Sequence, residues 1–190
     1  LDEADYTHCL GQIRALSQQY ELAIHAFCLL PDGLHILATP LGDPGNLSRF
    51  MKALSCSASS RRKRLHGATS VWEVRYRSSP VEPGQWMLAC ICYIERLPVT
   101  QRLASSAYHY HRSSYRMRLG KTHQYWLEDP EEYTRLGGSI EDRAEAYRMY
   151  MSNGLDPHEE KMIDTAVKRC RLTGSRHFVR EVYRKYGVLG

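Results

Sequence analysis

The sequence predicts an α+β fold in which an antiparallel sheet packs against helices and is followed by a small helical domain. Helical and strand-like apolar patterns alternate through the first two thirds of the chain. Turn-forming Pro31-Asp32-Gly33 separates two short apolar runs, as in a hairpin. Beyond residue 127 only helical spacing recurs. We therefore predict one domain over residues 1–127 and a helical domain over 128–190.

The first elements follow from local patterns. Apolar residues at helical spacing predict an amphipathic helix over residues 3–19. The runs 22–30 and 34–39 are expected to be strands joined by the turn into a hairpin. Asn46 is a candidate N-cap for a helix that reaches about residue 65.

The remaining elements are shorter. Alternation over 71–77 predicts a further strand, and the apolar residues after Pro83-Gly84 predict a helix over 84–96. Proline lacks a backbone N–H, so we expect that helix to end at Pro98. The last helices are predicted over 141–153, 157–171 and 175–186.

The order helix, strand, strand, helix, strand, helix fits a ferredoxin-like α+β sandwich, with helices on one face of an antiparallel sheet. Such a sheet normally has one more strand. We expect that strand to precede residue 1 of this numbering.

Composition excludes several classes of protein. No stretch approaches the ~20 apolar residues of a membrane helix, and no signal peptide is visible. The six cysteines form no C-x-x-C pair, which favours reduced thiols in a cytosolic protein over a zinc site. A net charge of +5 is compatible with a polyanionic partner such as nucleic acid.

Several motifs then occur in a fixed order. They are IHAFCLLPDGLHIL at 24–37, LSRFMKAL at 47–54, VWEVRYRSS at 71–79, YIERLPV at 93–99 and RSSYR at 112–116, and they continue at 133–137, 143–150 and 174–178. Together they resemble the small single-tyrosine (HUH-type) transposases of the IS200-like and REP-associated type. The resemblance covers nearly the whole chain.

The resemblance implies a chemistry. In this family two histidines flank one apolar residue on a strand and hold a divalent metal, Mg²⁺ or Mn²⁺, that polarises the scissile phosphate. A helical tyrosine attacks and forms a 5′-phosphotyrosine, and a third ligand lies four residues after it. By resemblance Tyr93 is the nucleophile and His35 a metal ligand. Gly33 and Leu97 occupy the two other ligand positions.

Two of the three protein ligands therefore carry no donor side chain. A lone imidazole holds a hard ion poorly, because Mg²⁺ requires oxygen ligands. We expect the metal to bind weakly and cleavage to be weak or lost. Alternatively a rearranged site uses Asp32, Glu73 or a DNA oxygen, although strand parity places Asp32 on the face opposite His35. His35 as an ordinary hydrogen-bonded histidine and Tyr93 as a core aromatic are the other interpretations.

Basic residues form three candidate DNA contacts. They are Arg61, Arg62, Lys63 and Arg64 at a helix end, Arg75 and Arg77 on one strand face, and Arg112 and Arg116 with Arg118 near Tyr108, Tyr110 and Tyr115. The cations at the helix end also interact favourably with the helix dipole, an explanation that requires no DNA. The resemblance implies single-stranded or hairpin DNA as partner. Location at the cytoplasmic nucleoid, no membrane partner and a monomer or homodimer are expected.

Three functions remain open from sequence. One is a DNA-binding protein with impaired strand transfer, another an active transposase with a rearranged metal site. The third is a repurposed fold that acts through protein contacts of its helical C-terminal part.

Overall fold

In the computed structural model, which describes residues 3–67, 76–122 and 125–187, helices accompany a two-stranded antiparallel sheet. The predicted α+β class is confirmed. The chain divides into two units, each discontinuous in sequence. The first comprises Leu1–Tyr76 and Ile94–Asp129, and the second comprises Arg77–Tyr93 and Pro130–Gly190.

The first unit contains the sheet. Its elements are α1 (Glu3–Gln19), β1 (Leu22–Leu29), β2 (Leu34–Pro40), α2 (Asn46–His66), the second half of α3 (Gln85–Thr100) and the short α4 (Tyr115–Arg118). The hairpin, α1 and α2 begin and end within two residues of the predicted positions. Their boundaries follow from local apolar spacing and turn residues.

Strand β1 is buried along its full length. It pairs with β2 in antiparallel register, with a bulge at His25. At its other edge the Leu29 N–H donates to the Arg112 carbonyl at 2.9 Å, and the Ser114 N–H donates to the Phe27 carbonyl at 2.9 Å. A strand with partners on both edges and with both faces buried explains the unbroken apolar run.

The core of this unit lies between α1, β1 and α2. Ile13, Phe27, Phe50 and Leu54 are almost fully buried there. Burying each such side chain contributes about 1.5–3 kcal/mol. This core holds the hairpin that carries the candidate metal residues.

The start of α2 differs by one residue from the prediction. Gly45 is the N-cap, and Asn46 is the first helical residue, whose side-chain oxygen accepts from Arg49 at 2.7 Å. Asp43 organises this turn instead: it accepts from the Gly45 N–H at 2.8 Å and pairs with Arg49 at 2.8 Å. The hydrogen bond from the Gly45 N–H is the largest cause that lowers the pKa of Asp43, and the hydrogen bond and charge of Arg49 lower it further.

Helix α3 continues through Pro98 to Thr100, so the prediction that proline ends it is wrong. The ring removes one donor, but the Gln101 N–H still donates to the Leu97 carbonyl at 2.8 Å. The bond that Pro98 cannot make is the one to the Ile94 carbonyl, and the helix extends only two residues beyond the proline. The predicted strand over 71–77 falls almost wholly outside the described residues.

The second unit is helical in its described part. Its helices are the first half of α3, α5 (Glu131–Thr134), α6 (Ile140–Asn153), α7 (Pro157–Lys168) and α8 (Arg176–Tyr186). The last three correspond to the three helices predicted for this part of the chain.

Local capping sets where these helices begin. Ser139, Asp156 and Ser175 cap α6, α7 and α8 through their side chains. Helix α7 ends three residues earlier than predicted, and Cys170 beyond it adopts a left-handed φ of 51°. A residue in that conformation cannot continue a right-handed helix.

The boundary between the units only partly matches the prediction. The switch at 129/130 lies near the predicted 127/128, but residues 77–93, predicted within the first domain, group with the helical unit. None of the helices in the described ranges is long and apolar enough to cross a membrane.

Candidate functional site

The tip of the hairpin carries Gly33 and His35. The Leu30 N–H donates to the Gly33 carbonyl at 2.7 Å and closes the turn. His35 is half-buried and lies opposite Cys28 in the strand register. A Cβ added to Gly33 meets no atom within 4 Å, so a β-carbon is accommodated there. Asp32 is exposed in the turn itself.

Both ring nitrogens of His25 are hydrogen-bonded within the protein. Its Nδ1 lies 2.6 Å from the Glu128 carbonyl and its Nε2 lies 2.8 Å from Thr39 Oγ1. Thr39 is four residues from His35 along β2, about 13 Å at strand rise. His25 and His35 therefore do not share one metal ion.

Leu97, at the third ligand position, is an apolar core residue with 6% exposure. No group of three His, Cys, Asp or Glu side chains in the described ranges is arranged to hold a metal. Metal chemistry at His35 would need ligands that these residues do not provide.

Tyr93, the candidate nucleophile, is buried on α3. Its hydroxyl donates to Asp164 Oδ1 on α7 at 3.2 Å, and Asp164 Oδ2 pairs with Lys168 at 2.9 Å. Burial and then the Asp164 carboxylate raise the pKa of Tyr93 well above its ordinary value. Both effects keep the phenol protonated. The sequence did not single out Asp164, because no local pattern connects it to a tyrosine 71 residues away.

A buried ion pair joins α3 to α4. Glu95 and Arg118 are 0% and 1% exposed, and Glu95 Oε1 accepts from Arg118 Nε at 3.2 Å. The same oxygen accepts from the Ser114 hydroxyl at 2.5 Å. Arg118 also donates to Asp129 at 3.0 Å and to the His25 carbonyl. The prediction that Arg118 contacts DNA is wrong, because its guanidinium is fully engaged inside the protein.

The tyrosines near this pair differ in exposure. Tyr115 is buried, and the buried Tyr110 donates from its hydroxyl to the Leu29 carbonyl at 2.7 Å. Burial raises the pKa of Tyr110 to about 12. Tyr108 remains 40% exposed, with the Arg116 guanidinium 5.2 Å from its ring centroid. Of the three predicted stacking rings, only Tyr108 is accessible to a base.

The basic end of α2 contains two kinds of cation. Arg61 is largely buried and pairs with the buried Asp5 of α1 at 2.9 Å. Lys63 and Arg64 are exposed, and Arg62 is half-buried. Arg61 therefore serves the packing of α1 on α2, whereas Lys63 and Arg64 face solvent.

The cations near residue 112 have partners within the protein. Arg112 pairs with Glu3 at 2.5 Å and stacks 3.6 Å over the Tyr6 ring. Arg116 bonds to His111. A DNA contact through either arginine would compete with these interactions.

The predicted pair of strand cations, Arg75 and Arg77, falls partly outside the described residues. Arg77 is exposed in the second unit. Arg75 lies outside the described residues.

Comparison of the chain with protein-family models, with curated proteins and with solved structures found no match.

Proposed function

We propose that this protein binds single-stranded or hairpin DNA and is derived from an IS200-like, REP-associated transposase whose strand transfer is weak or lost. The observation that carries the proposal is the charge of α2. Its 21 residues include six Lys or Arg and no Asp or Glu; two of the six, Arg49 and Arg61, are paired with Asp43 and Asp5 of other segments. Such a basic helix attracts phosphates, and counterion release makes its binding salt-dependent.

Exposed cations and an aromatic ring support a nucleic-acid contact in the first unit. Lys63 and Arg64 are exposed to solvent and can meet phosphates, since a solvated cation loses little on moving to an anion. Tyr108 with Arg116 offers a ring and a guanidinium on which an unpaired base can stack.

Weak or absent cleavage is expected from the residues around His35 and from the state of Tyr93. Gly33 and the buried Leu97 supply no metal ligand beside His35. The hydroxyl of Tyr93 is hydrogen-bonded to a carboxylate and held protonated. Without metal charge and without a phenolate, the transition state loses several kcal/mol of stabilisation, each ~1.4 kcal/mol being tenfold in rate.

We further propose that the sheet of the first unit is ferredoxin-like. Strand β1, with β2 on one edge and residues 112–114 on the other, supports a ferredoxin-like sheet. We also propose that the residues after 128 act as a helical C-terminal domain. DNA binding would place the protein at the nucleoid, as a monomer or a homodimer.

An active transposase is the second candidate, in which the same Tyr93–Asp164 contact begins a proton transfer. Asp164 already accepts a hydrogen bond from the Tyr93 hydroxyl and could take its proton as a general base. This candidate requires a divalent ion, Mg²⁺ or Mn²⁺, beside His35 with a ligand such as Asp32 or a DNA oxygen. It also requires a covalent Tyr93–DNA adduct.

The test is binding and cleavage of one set of hairpins with short single-stranded flanks. Fluorescence anisotropy across a salt series should show tight binding at low salt and a steep loss as salt rises. Lys63→Gln/Arg64→Gln should weaken binding and reduce the salt slope by about one to two. The exposed pair Arg135→Gln/Arg148→Gln makes the same charge change on acid-paired arginines of the second unit and is the matched control.

Cleavage is read from the same samples with Mg²⁺ and with Mn²⁺. The proposal expects no nicking above the Tyr93→Phe background. A denaturant-stable adduct that forms in wild type and disappears in Tyr93→Phe would establish the second candidate instead. No binding at low salt would overturn the DNA-binding proposal.

A further inference from the structure

Helix α8 presents an exposed, strongly basic surface in the second unit. None of its eleven residues is buried. Arg176, Arg180 and Arg184 recur every four residues, so they share one flank of the helix over about 12 Å. The half-buried residues of the other flank are Phe178, Val179, Val182 and Tyr183.

A groove of about 310 Å³ runs beside this helix, which is within the size range of small-ligand sites. It is lined by Met162, Leu172, Gly174, Val179, Arg176 and Arg180. Its floor is apolar, and both exposed arginines stand at its edge. An apolar groove bordered by two cations fits a ligand with a flat apolar part and an anionic part next to it.

The start of α8 is fixed by several hydrogen bonds. Glu82 accepts from the Ser175 N–H at 2.5 Å and from the Ser175 hydroxyl at 3.0 Å, while that hydroxyl accepts from the Phe178 N–H at 3.1 Å. The Thr173 N–H donates to the Pro80 carbonyl at 2.9 Å. The backbone of the groove wall at the start of α8 is therefore fixed before any ligand arrives, which lowers the entropy cost of binding.

The segment that carries α8 is strongly positive, while the Glu82 carboxylate lies at the start of the helix. Residues 168–186 contain seven Lys or Arg and one acid, Glu181. Lys168 pairs with Asp164, and Arg184 pairs with Glu181. Local acids therefore neutralise Lys168 and Arg184.

The two arginines at the groove, Arg176 and Arg180, differ from the paired Lys168 and Arg184. Within the described ranges, Arg176 and Arg180 take part in no ion pair. They stand one helical turn apart on an exposed flank. A row of cations suits a chain of repeating phosphates better than a single anion.

We infer that the groove between α7 and α8 binds an unpaired nucleotide of a DNA strand, with its base on the apolar floor and its phosphates on Arg176 and Arg180. A base enters such a groove only when it is not paired. The guanidinium planes at the edge also offer a stacking surface. The inference rests on the proposed DNA binding and assigns a second contact in addition to the basic end of α2.

The experiment compares two double variants on the flanked hairpin and on a blunt hairpin of the same stem. Arg176→Gln/Arg180→Gln should weaken binding of the flanked hairpin on the order of tenfold and lower its salt slope by about one to two, with a smaller effect on the blunt one. Arg135→Gln/Arg148→Gln, an equal change of charge on the same unit, should alter neither.

A second arm tests the base itself. Flank nucleotides are replaced one at a time by an abasic residue, and binding is measured to wild type and to Met162→Trp, which fills the groove. At one flank position the abasic change should weaken wild-type binding on the order of tenfold and have no effect on Met162→Trp. Circular dichroism establishes that each variant is folded.

The outcomes separate the two claims. If wild type binds no DNA at low salt, the proposed function fails and this site fails with it. If wild type binds but the Arg176/Arg180 variant matches its control, the site alone is overturned. Equal losses on blunt and flanked hairpins would show a duplex contact, and equal abasic effects in wild type and Met162→Trp would show that the base lies elsewhere. Either result rejects the nucleotide groove.

Discussion

The Tyr93 hydroxyl donates a hydrogen bond to Asp164, 71 residues further along the chain, at 3.2 Å. The tyrosine that the sequence motif marks as a nucleophile is thus buried and bonded to an acid. An anion next to a phenol disfavours phenolate, so this contact opposes the chemistry that the motif implies unless the carboxylate accepts the proton. The contact can be tested by titration.

Removing the Asp164 charge should lower the pKa of Tyr93. In Asp164→Asn the carboxylate no longer opposes phenolate formation, and burial remains as the largest cause of the raised pKa. NMR of ring-labelled tyrosine, with Tyr93→Phe to assign the signal, measures the shift. Glu145→Gln, an exposed acid on α6, should leave the Tyr93 signal unchanged. An identical Tyr93 titration in Asp164→Asn would contradict the contact.

The same shift has a consequence for stability at high pH. The folded-state pKa of Tyr93 is raised above the unfolded value of about 10, so its contribution is fully present below pH ~10. It is lost as pH rises further, since unfolded chains ionise first. Asp164→Asn should reduce that alkaline loss, which denaturant midpoints at successive pH values above ~10 measure. An alkaline loss of the same size in both proteins would refute this linkage.

The Glu95–Arg118 pair should be among the costliest contacts to break. Arg118→Met leaves a 0% exposed carboxylate without its cation, a change worth about 3–5 kcal/mol. Arg118→Met/Glu95→Gln should cost less than the sum of the single changes, because the second removes the uncompensated charge. Denaturant unfolding measures both.

An exposed ion pair, Arg135 with Glu131, is the control for the buried Glu95–Arg118 pair. Arg135 pairs with Glu131 four residues away on the surface, and Arg135→Met should cost less than ~1 kcal/mol. Equal costs for Arg118→Met and Arg135→Met would contradict the buried network.

Substitutions at Arg61 and Lys63 should affect different properties, the first folding stability and the second DNA binding. Arg61→Gln removes the ion pair that Arg61 makes with the buried Asp5 and should cost about 1–3 kcal/mol of folding free energy. Lys63→Gln lies at an exposed position and should stay within ~0.5 kcal/mol while still weakening DNA binding. Thermal unfolding and anisotropy on the same samples provide the comparison. A destabilised Lys63→Gln would show that this assignment of roles is wrong.

Gly33→His should create a metal site without disturbing the turn. No atom lies within 4 Å of a Cβ added at Gly33, so the first atom of the new side chain meets no clash. With Leu34 between them, the introduced imidazole and that of His35 would point to one strand face and bind Mn²⁺ more tightly than the wild-type protein does.

Calorimetric titration with Mn²⁺ measures that gain, and Gly33→Ala is the control. Adding Leu97→Asn to Gly33→His should cost stability, because an amide is then buried at a position with 6% exposure. Equal Mn²⁺ affinity in Gly33→His and Gly33→Ala would show that the hairpin tip does not bring the two imidazoles together.

Elements governed by local physics could be predicted well from the sequence. The helix over 3–19, the hairpin and the start of the helix after residue 46 lie within two residues of their predicted positions, because apolar period and turn residues act over a few positions. The sequence likewise places Gly33 and Leu97 where the resemblance requires a metal ligand. These are statements about residue type, which no packing can alter.

Which charged and polar groups remain available depended instead on long-range packing. Arg118 was predicted to contact DNA and is enclosed, since its partner Glu95 is 23 residues away on another helix. Arg61 is committed to Asp5, and Tyr93 to Asp164. A charged residue in a sequence does not reveal whether its side chain is solvated by water or paired with an opposite charge on a distant helix. The outcome depends on the free energy of burying the two charges together.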